Sequence, residues 1–167
     1  MTYGVPVCIT RSSNNYGPNQ HPEKIIPLFI TRLLKGLPVT LHGDGKHVRN
    51  WLHVEDNCQG VELVLRHGQP GEAYNLGDGT DLTNEELTGF LLSLCGADSS
   101  SVRYITDRTA NDRRYAMDCA KARALGYAPS RDLVDGLAET VDWYRHNPHR
   151  WAPLLGTAAV ERTPSHA

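Results

Sequence analysis

The apolar positions change period several times along this chain, and each change marks an element. Val5, Val7 and Ile9, with Cys8 among them, read as a strand over Gly4–Thr10 that is buried on both faces. The strand runs into the polar stretch Thr10–Pro27, TRSSNNYGPNQHPEKIIP, which turns at Tyr16-Gly17-Pro18. From Glu23 to Lys35, Ile25, Ile26, Phe29, Leu33 and Leu34 recur at helical spacing, and Gly36 supplies a stop. Pro27 is compatible with the first turn of that helix. Val39–Leu41 predicts a short strand, and Gly43-Asp44-Gly45 predicts a hairpin turn that returns along Val48–Val54. Glu55 and Asp56 then open a helix carrying Cys58, Val61, Val64 and Leu65, which stops near Gly68.

The second half continues the alternation. Glu72–Leu76 reads as a strand. Thr83-x-x-Glu86 is a capping box ahead of Leu87, Phe90, Leu91 and Leu94, and Gly96 closes that helix. Val102–Thr106 predicts a strand, and Asp118 caps a short helix ending at Leu125-Gly126. Asp132 or Ser130 starts a last long helix with the stripe Leu133, Leu137, Val141 and Tyr144, and Pro148 ends it. The expected class is α/β: the last strands of a Rossmann-like parallel sheet, plus a smaller α/β unit built from the hairpin-like pieces. Residues 1–154 form the folded portion in this reading, and the small, polar 155–167 is expected to be a disordered tail.

Composition narrows the function. The sequence has 167 residues, 40% hydrophobic and 22% charged, an ordinary globular balance with enough chain for a real core. A net charge of -2 provides no bulk field for nucleic acid or an anionic membrane. No apolar run reaches bilayer length and no leader pattern is visible, so the cytoplasm is the expected compartment. Cys8, Cys58, Cys95 and Cys119 form no C-x-x-C pair and read as buried, reduced thiols. The histidines are scattered without H-x-x-x-H spacing, so no structural metal is expected.

Residues suited to chemistry cluster in Thr10–Pro27, because open α/β folds place ligands beyond the carboxyl ends of their strands. Asn14 and Asn15 offer amides, and Lys24 offers a positive charge near a helix start; together they suit an anionic, hydroxyl-rich ligand. An ordinary surface turn has the same composition. Arg49, close to Trp51, reads either as a phosphate ligand or as a surface charge stacked on the indole, and Asn75 as a ligand or a turn residue. Arg113 and Arg114 read as ion-pair partners of Asp107, Asp112 or Asp118. Trp143 and Tyr144 fit the core of the last helix, and His53 and His146 read as packing or surface residues.

SSNNYGP followed by PEKIIPLFI resembles the signature of the dTDP-glucose 4,6-dehydratases, which are extended short-chain dehydrogenases/reductases acting on nucleotide sugars. The resemblance continues through LHGDGKHVRNWLHVEDNCQG, GEAYNLGDG, DRTANDRRYAMD and TVDWYRHNPHRWAPL, and it is to the C-terminal half of such an enzyme. The reaction it implies oxidises C4 of the glucose with tightly held NAD, eliminates water across C5–C6 and returns the hydride to C6. It further implies a clamp on a dTDP-sugar. Arg49 and Arg108 would meet the diphosphate, with Asn14 and Asn75 at the phosphate and ribose. Lys24, Ile25 and the strand Thr40–His42 would lie beside the nucleotide, and Ser12 and Ser13 would pass the nicotinamide of NAD.

The same resemblance implies absences. The family's dinucleotide turn is G-x-x-G-x-x-G and its acid–base pair is Tyr-x-x-x-Lys, and the sequence contains neither. No catalytic residue is therefore assigned, and the chain alone is expected to be inactive. Its partners would be the dTDP-sugar and either the other half of the enzyme or a second copy of itself. The sequence also departs from the family: Arg108-Thr109-Ala110-Asn111-Asp112 stands for R-P-G-H-D, His42 for a tyrosine and Asn50 for the aspartate of R-D-W. Asn111 keeps a hydrogen-bonding group at the phosphate but loses a possible cation. Two other readings share these features: a non-catalytic nucleotide-sugar-binding module, and half of a related UDP-sugar decarboxylase or epimerase.

Overall fold

The computed structural model describes residues 3–77, 79–110, 112–115 and 117–155. The short strands fall into three small sheets. β1 (Ile9–Ser12) pairs in parallel with β5 (Ala73–Leu76), Ile9 lying opposite Ala73. β2 (Asn14–Tyr16) pairs in parallel with β4 (Val48–His53), and β6 (Thr80–Thr83) runs antiparallel along β4's other edge. β3 (Val39–His42) pairs in parallel with β7 (Val102–Ile105).

Helices α1 (Ile25–Leu33), α3 (Asn84–Cys95) and α5 (Leu133–His146) pack against one another and close the main core. Ile26, Phe29, Ile30, Leu87, Leu91, Leu137 and Val141 are buried there, with Tyr16 and Trp51 entering from the sheet. Local chemistry accounts for the helix ends. Thr83 and Glu86 form a reciprocal capping box, each accepting the other's backbone N–H, at 3.1 and 2.8 Å. Asp132 accepts from Val134 and Asp135 at 2.8 and 3.1 Å and starts α5. Gly36 and Gly96 follow α1 and α3 at φ of 67° and 72°, where a side chain would be strained. Tyr144 is buried and Trp143 packs beside it, as expected for core positions.

α2 (Val54–His67) begins at the main core and ends against β5, where the short α4 (Ala120–Ala124) also packs. Val64, Tyr74, Leu76, Ala122 and Tyr127 make a second, smaller cluster. A final turn, α6 (Pro148–Trp151), returns Trp151 to the main core.

Four expectations need correction. The Gly4–Thr10 segment is not a doubly buried strand: β1 starts only at Ile9, β5 is its one strand neighbour, and Val5, Val7 and Ile9 are each about half exposed. Gly43-Asp44-Gly45 does turn the chain, with both glycines at positive φ, but β3 and β4 do not form a hairpin. They belong to different sheets, and β3's partner is β7, far along the chain. The cysteines are not uniformly buried: Cys119 is, Cys8 and Cys95 are intermediate, and Cys58 lies exposed on α2. Arg113 and Arg114 do form ion pairs, but with Asp44 and Asp81, which reach them from the turn and from β6. Residues 156–167 and Asn111 lie outside the described residues.

Candidate functional site

The polar stretch after β1 is only partly a loop. Asn14–Tyr16 add a strand to β4, which sets Asn14 opposite Trp51 and Tyr16 opposite His53. α1 begins nine residues after Tyr16 and carries Ile25 back against that strand. A cleft of about 250 Å³ results, lined by Asn14, Asn15, Gln20, Lys24, Ile25, Ile26 and Trp51. It brings together four residues singled out from the sequence, Asn14, Asn15, Lys24 and Ile25, and adds Gln20 and Trp51, which sequence reasoning missed.

The cleft is polar in a particular way. The Asn15 amide donates to Ser13 O at 3.0 Å, and that of Gln20 to Asn15 O at 2.9 Å. Their side-chain oxygens, Asn15 Oδ1 and Gln20 Oε1, and the Trp51 indole nitrogen are buried without hydrogen-bond partners. Orphaned buried groups of this kind are costly in an ordinary core. Lys24 stands at the exposed rim, 3.0 Å from Glu23. Behind Trp51 lies a second cavity of about 330 Å³, lined in part by Tyr16, His53, Asp56 and Ser130. Burial pushes the Tyr16 phenol well above its ordinary pKa there.

Thr40, His42, Arg49 and Arg108 gather around the β3–β4 turn. Thr40 and His42 lie on β3, and the imidazole Nδ1 of His42 is buried without a partner. The Arg49 guanidinium sits 4.4 Å from the ring centre of Tyr115, and its Nη1 donates to Val48 O at 2.7 Å. Arg49 therefore stacks on Tyr115, not on Trp51. The exposed strap after β7 is latched over this turn. Arg113 grips both Asp44 oxygens at 2.9 and 3.0 Å, Arg114 binds Asp81 at 2.8 Å, and Val48 N–H donates to Arg113 O at 2.9 Å. The Arg113 hydrogen bond, with help from the Lys46 N–H, holds the Asp44 carboxyl down at about 2. Arg108 is exposed on this strap.

Ser12, Ser13 and Asn75 form a third group, at the carboxyl ends of β1 and β5. Ser13 N–H donates to Leu76 O at 2.9 Å, and Asn75 donates to Asp118 O at 2.8 Å, so Asn75 is a strand residue tied to the approach of α4. Ser12 donates to Asn57 Oδ1 at 2.6 Å, while the buried Ser13 hydroxyl has no partner. A dinucleotide needs a glycine-rich turn at a helix start for its pyrophosphate. These residues fit one rim of such a site and not its phosphate cradle. Among the described residues no cluster of side chains is arranged to hold a metal, and no helix is long and apolar enough to cross a membrane.

The sequence pattern of the NAD dependent epimerase/dehydratase family matches residues 1–77. The dTDP-glucose 4,6-dehydratase of Streptomyces antibioticus is 57% identical over 164 residues, 98% of this chain and 49% of that protein. The crystal structure of DesIV, the dTDP-glucose 4,6-dehydratase of Streptomyces venezuelae with NAD and TYD bound, superposes with a TM-score of 0.88 at 56% identity, over 92% of this chain and 48% of that one. The UDP-glucose 4-epimerase of Thermotoga maritima, solved with UDP-glucose, gives 0.81 at 32% identity, over 87% and 48%. The chain spans about half the length of the curated relatives it matches. By sequence and by fold the chain is similar to the dTDP-glucose 4,6-dehydratases, and its first 77 residues carry the NAD dependent epimerase/dehydratase pattern.

Proposed function

We propose that this chain is the substrate-binding half of a dTDP-glucose 4,6-dehydratase, and that it grips the nucleoside diphosphate of a dTDP-sugar. The observation that carries the reading is the cleft between β2 and α1. A ligand-facing wall explains why Asn15, Gln20 and Trp51 leave buried polar atoms unpartnered there. Asn14 and Lys24 border the same cleft, and the chain is 57% identical to a dTDP-glucose 4,6-dehydratase over 98% of its length. Arg49 and Arg108 meet the diphosphate in this proposal, where a planar guanidinium binds two phosphate oxygens at once. Asn75 and the Asn111 amide extend the phosphate and ribose contacts, and Thr40 and His42 flank the base. Ser12 and Ser13 border the nicotinamide side of bound NAD, which supplies a reversible hydride acceptor for the sugar. Residues 1–154 make up this nucleotide-sugar-binding portion. The proton-transfer and dehydration groups lie on a further segment, supplied by the other half of the enzyme.

Titration calorimetry of the purified chain with dTDP and UDP tests the reading. It expects saturable dTDP binding, preferred over UDP, and no conversion of dTDP-glucose by the chain alone. Arg49→Ala should weaken dTDP binding by roughly 2 kcal/mol, with little rescue by Arg49→Lys. Turnover without a companion polypeptide, or no dTDP binding at all, would sink it. A preference for UDP would favour the related UDP-sugar epimerases instead.

A further inference from the structure

His47, at the head of β4, is a polar side chain with only 3% of its surface exposed. Its Nε2 lies 3.2 Å from Oδ2 of the Asp107 carboxylate. Asp107 uses its other oxygen, Oδ1, to accept the backbone N–H of Arg108 at 2.8 Å. On the remaining side Asp107 rests against Gly43. A Cβ built on that residue would stand 3.0 Å from Oδ2 and 3.1 Å from Cβ and Cγ, and its φ of +59° already disfavours a side chain. Gly43 N–H in turn donates to Ile105 O at 2.9 Å, extending the β3–β7 pairing to the point where the strap leaves the sheet. His47 itself is anchored by its carbonyl, which accepts the N–H of Asn84 in the first turn of α3 at 3.0 Å.

We infer that His47 is a positioning residue for Arg108: it holds the carboxylate that fixes the backbone on which the Arg108 guanidinium is carried. The inference rests on the proposal that Arg108 meets the ligand diphosphate. Residues 106–110 are all exposed, and the ion pairs of Arg113 and Arg114 act farther down the strap, at the surface. Exposed pairs hold geometry weakly, whereas a buried imidazole against a carboxylate is screened far less. His47 supplies a contact to the start of the strap from inside the core.

The test uses the purified chain, with dTDP and thymidine as ligands and amide hydrogen exchange as a ligand-free measurement. His47→Leu should raise exchange of the Arg108 amide about tenfold and lower dTDP affinity about tenfold, the order expected for losing one buried polar contact to a carboxylate. Thymidine affinity should stay within about twofold, because that ligand has no phosphate to reach Arg108. His47→Gln retains a side-chain N–H and should restore most of both losses. In an Arg108→Ala background, His47→Leu should cost no further dTDP affinity, since the two act in series. Asp107→Asn approaches the same contact from the exposed side and covers the case in which His47→Leu does not fold; it should loosen the Arg108 amide likewise. Unchanged Arg108 exchange in the folded variants overturns the inference, as does a parallel loss of thymidine or an undiminished effect without Arg108. If Arg108→Ala binds dTDP as tightly as the parent, the proposed role of Arg108 is what has failed.

Discussion

Around the β2–β4–β6 sheet, three helices bury a continuous core from Ile26 and Phe29 through Leu87 and Leu91 to Leu137 and Tyr144. Around the β1–β5 pair, α2 and α4 bury only Val64, Tyr74, Leu76, Ala122 and Tyr127, while Val7 and Ile9 stand 49% and 51% exposed. Both regions contain a parallel strand pair followed by helices, the first with β6 added antiparallel. They differ in coverage: the first has a helix layer that meets itself, and the second has strands whose apolar side chains outnumber the surfaces available to cover them. Strand patterning specifies a face to be buried, and burial still depends on what lies opposite.

The comparison breaks most visibly under a core truncation. Leu137→Ala, at a fully buried position of α5, should lower stability by about 3 kcal/mol in a denaturant melt. Leu65→Ala, 82% exposed on α2, should change it by less than about 0.5 kcal/mol. Equal losses at the two positions would refute the division. A second test addresses the exposed strand. Val7→Lys with Ile9→Lys should reduce self-association in sedimentation velocity while leaving the melting midpoint nearly unchanged, because both side chains already face solvent in part. A chain that is equally monomeric before and after the substitutions would argue against an adhesive β1.

The smallest effect belongs to the strap. Asp44 titrates at about 2 when folded against an ordinary 3.8, so its tie to Arg113 is complete above pH 3.8 and lost as the pH falls through about 2. Carboxyl NMR titration should show that low midpoint, and Arg113→Ala should return it toward the ordinary value. The melting temperature should hardly respond to Arg113→Ala at neutral pH, since both partners are exposed.

The helices were legible from sequence because their signals are local. Thr83 and Glu86, Asp132, Gly36 and Gly96 each act within one turn of their own position. The strands were harder. Asn14–Tyr16 and Thr80–Thr83 are short and polar, and nothing in their composition reveals that β4 runs between them. The Gly43-Asp44-Gly45 turn was read correctly as a turn and wrongly as a hairpin, because pairing of β3 with β7 is decided far along the chain. Asn14, Lys24 and Ile25 were legible as neighbours through the family motif, and the structure brings them to one cleft. Gln20, Trp51 and His47 were not, since their significance lies in burial and in which atoms go unpartnered or pin a distant carboxylate.

Helix α2 touches β1 and β5 at one end of the molecule and β2 and β4 at the other. Its 14 residues make a rod of about 21 Å. At its start, the buried Asp56 carboxylate takes the N–H groups of Ser130 and Arg131, both at 3.1 Å, and so welds that end to the threshold of α5. The β1–β5 pair and the strands that wall the cleft therefore share one helix as their common support.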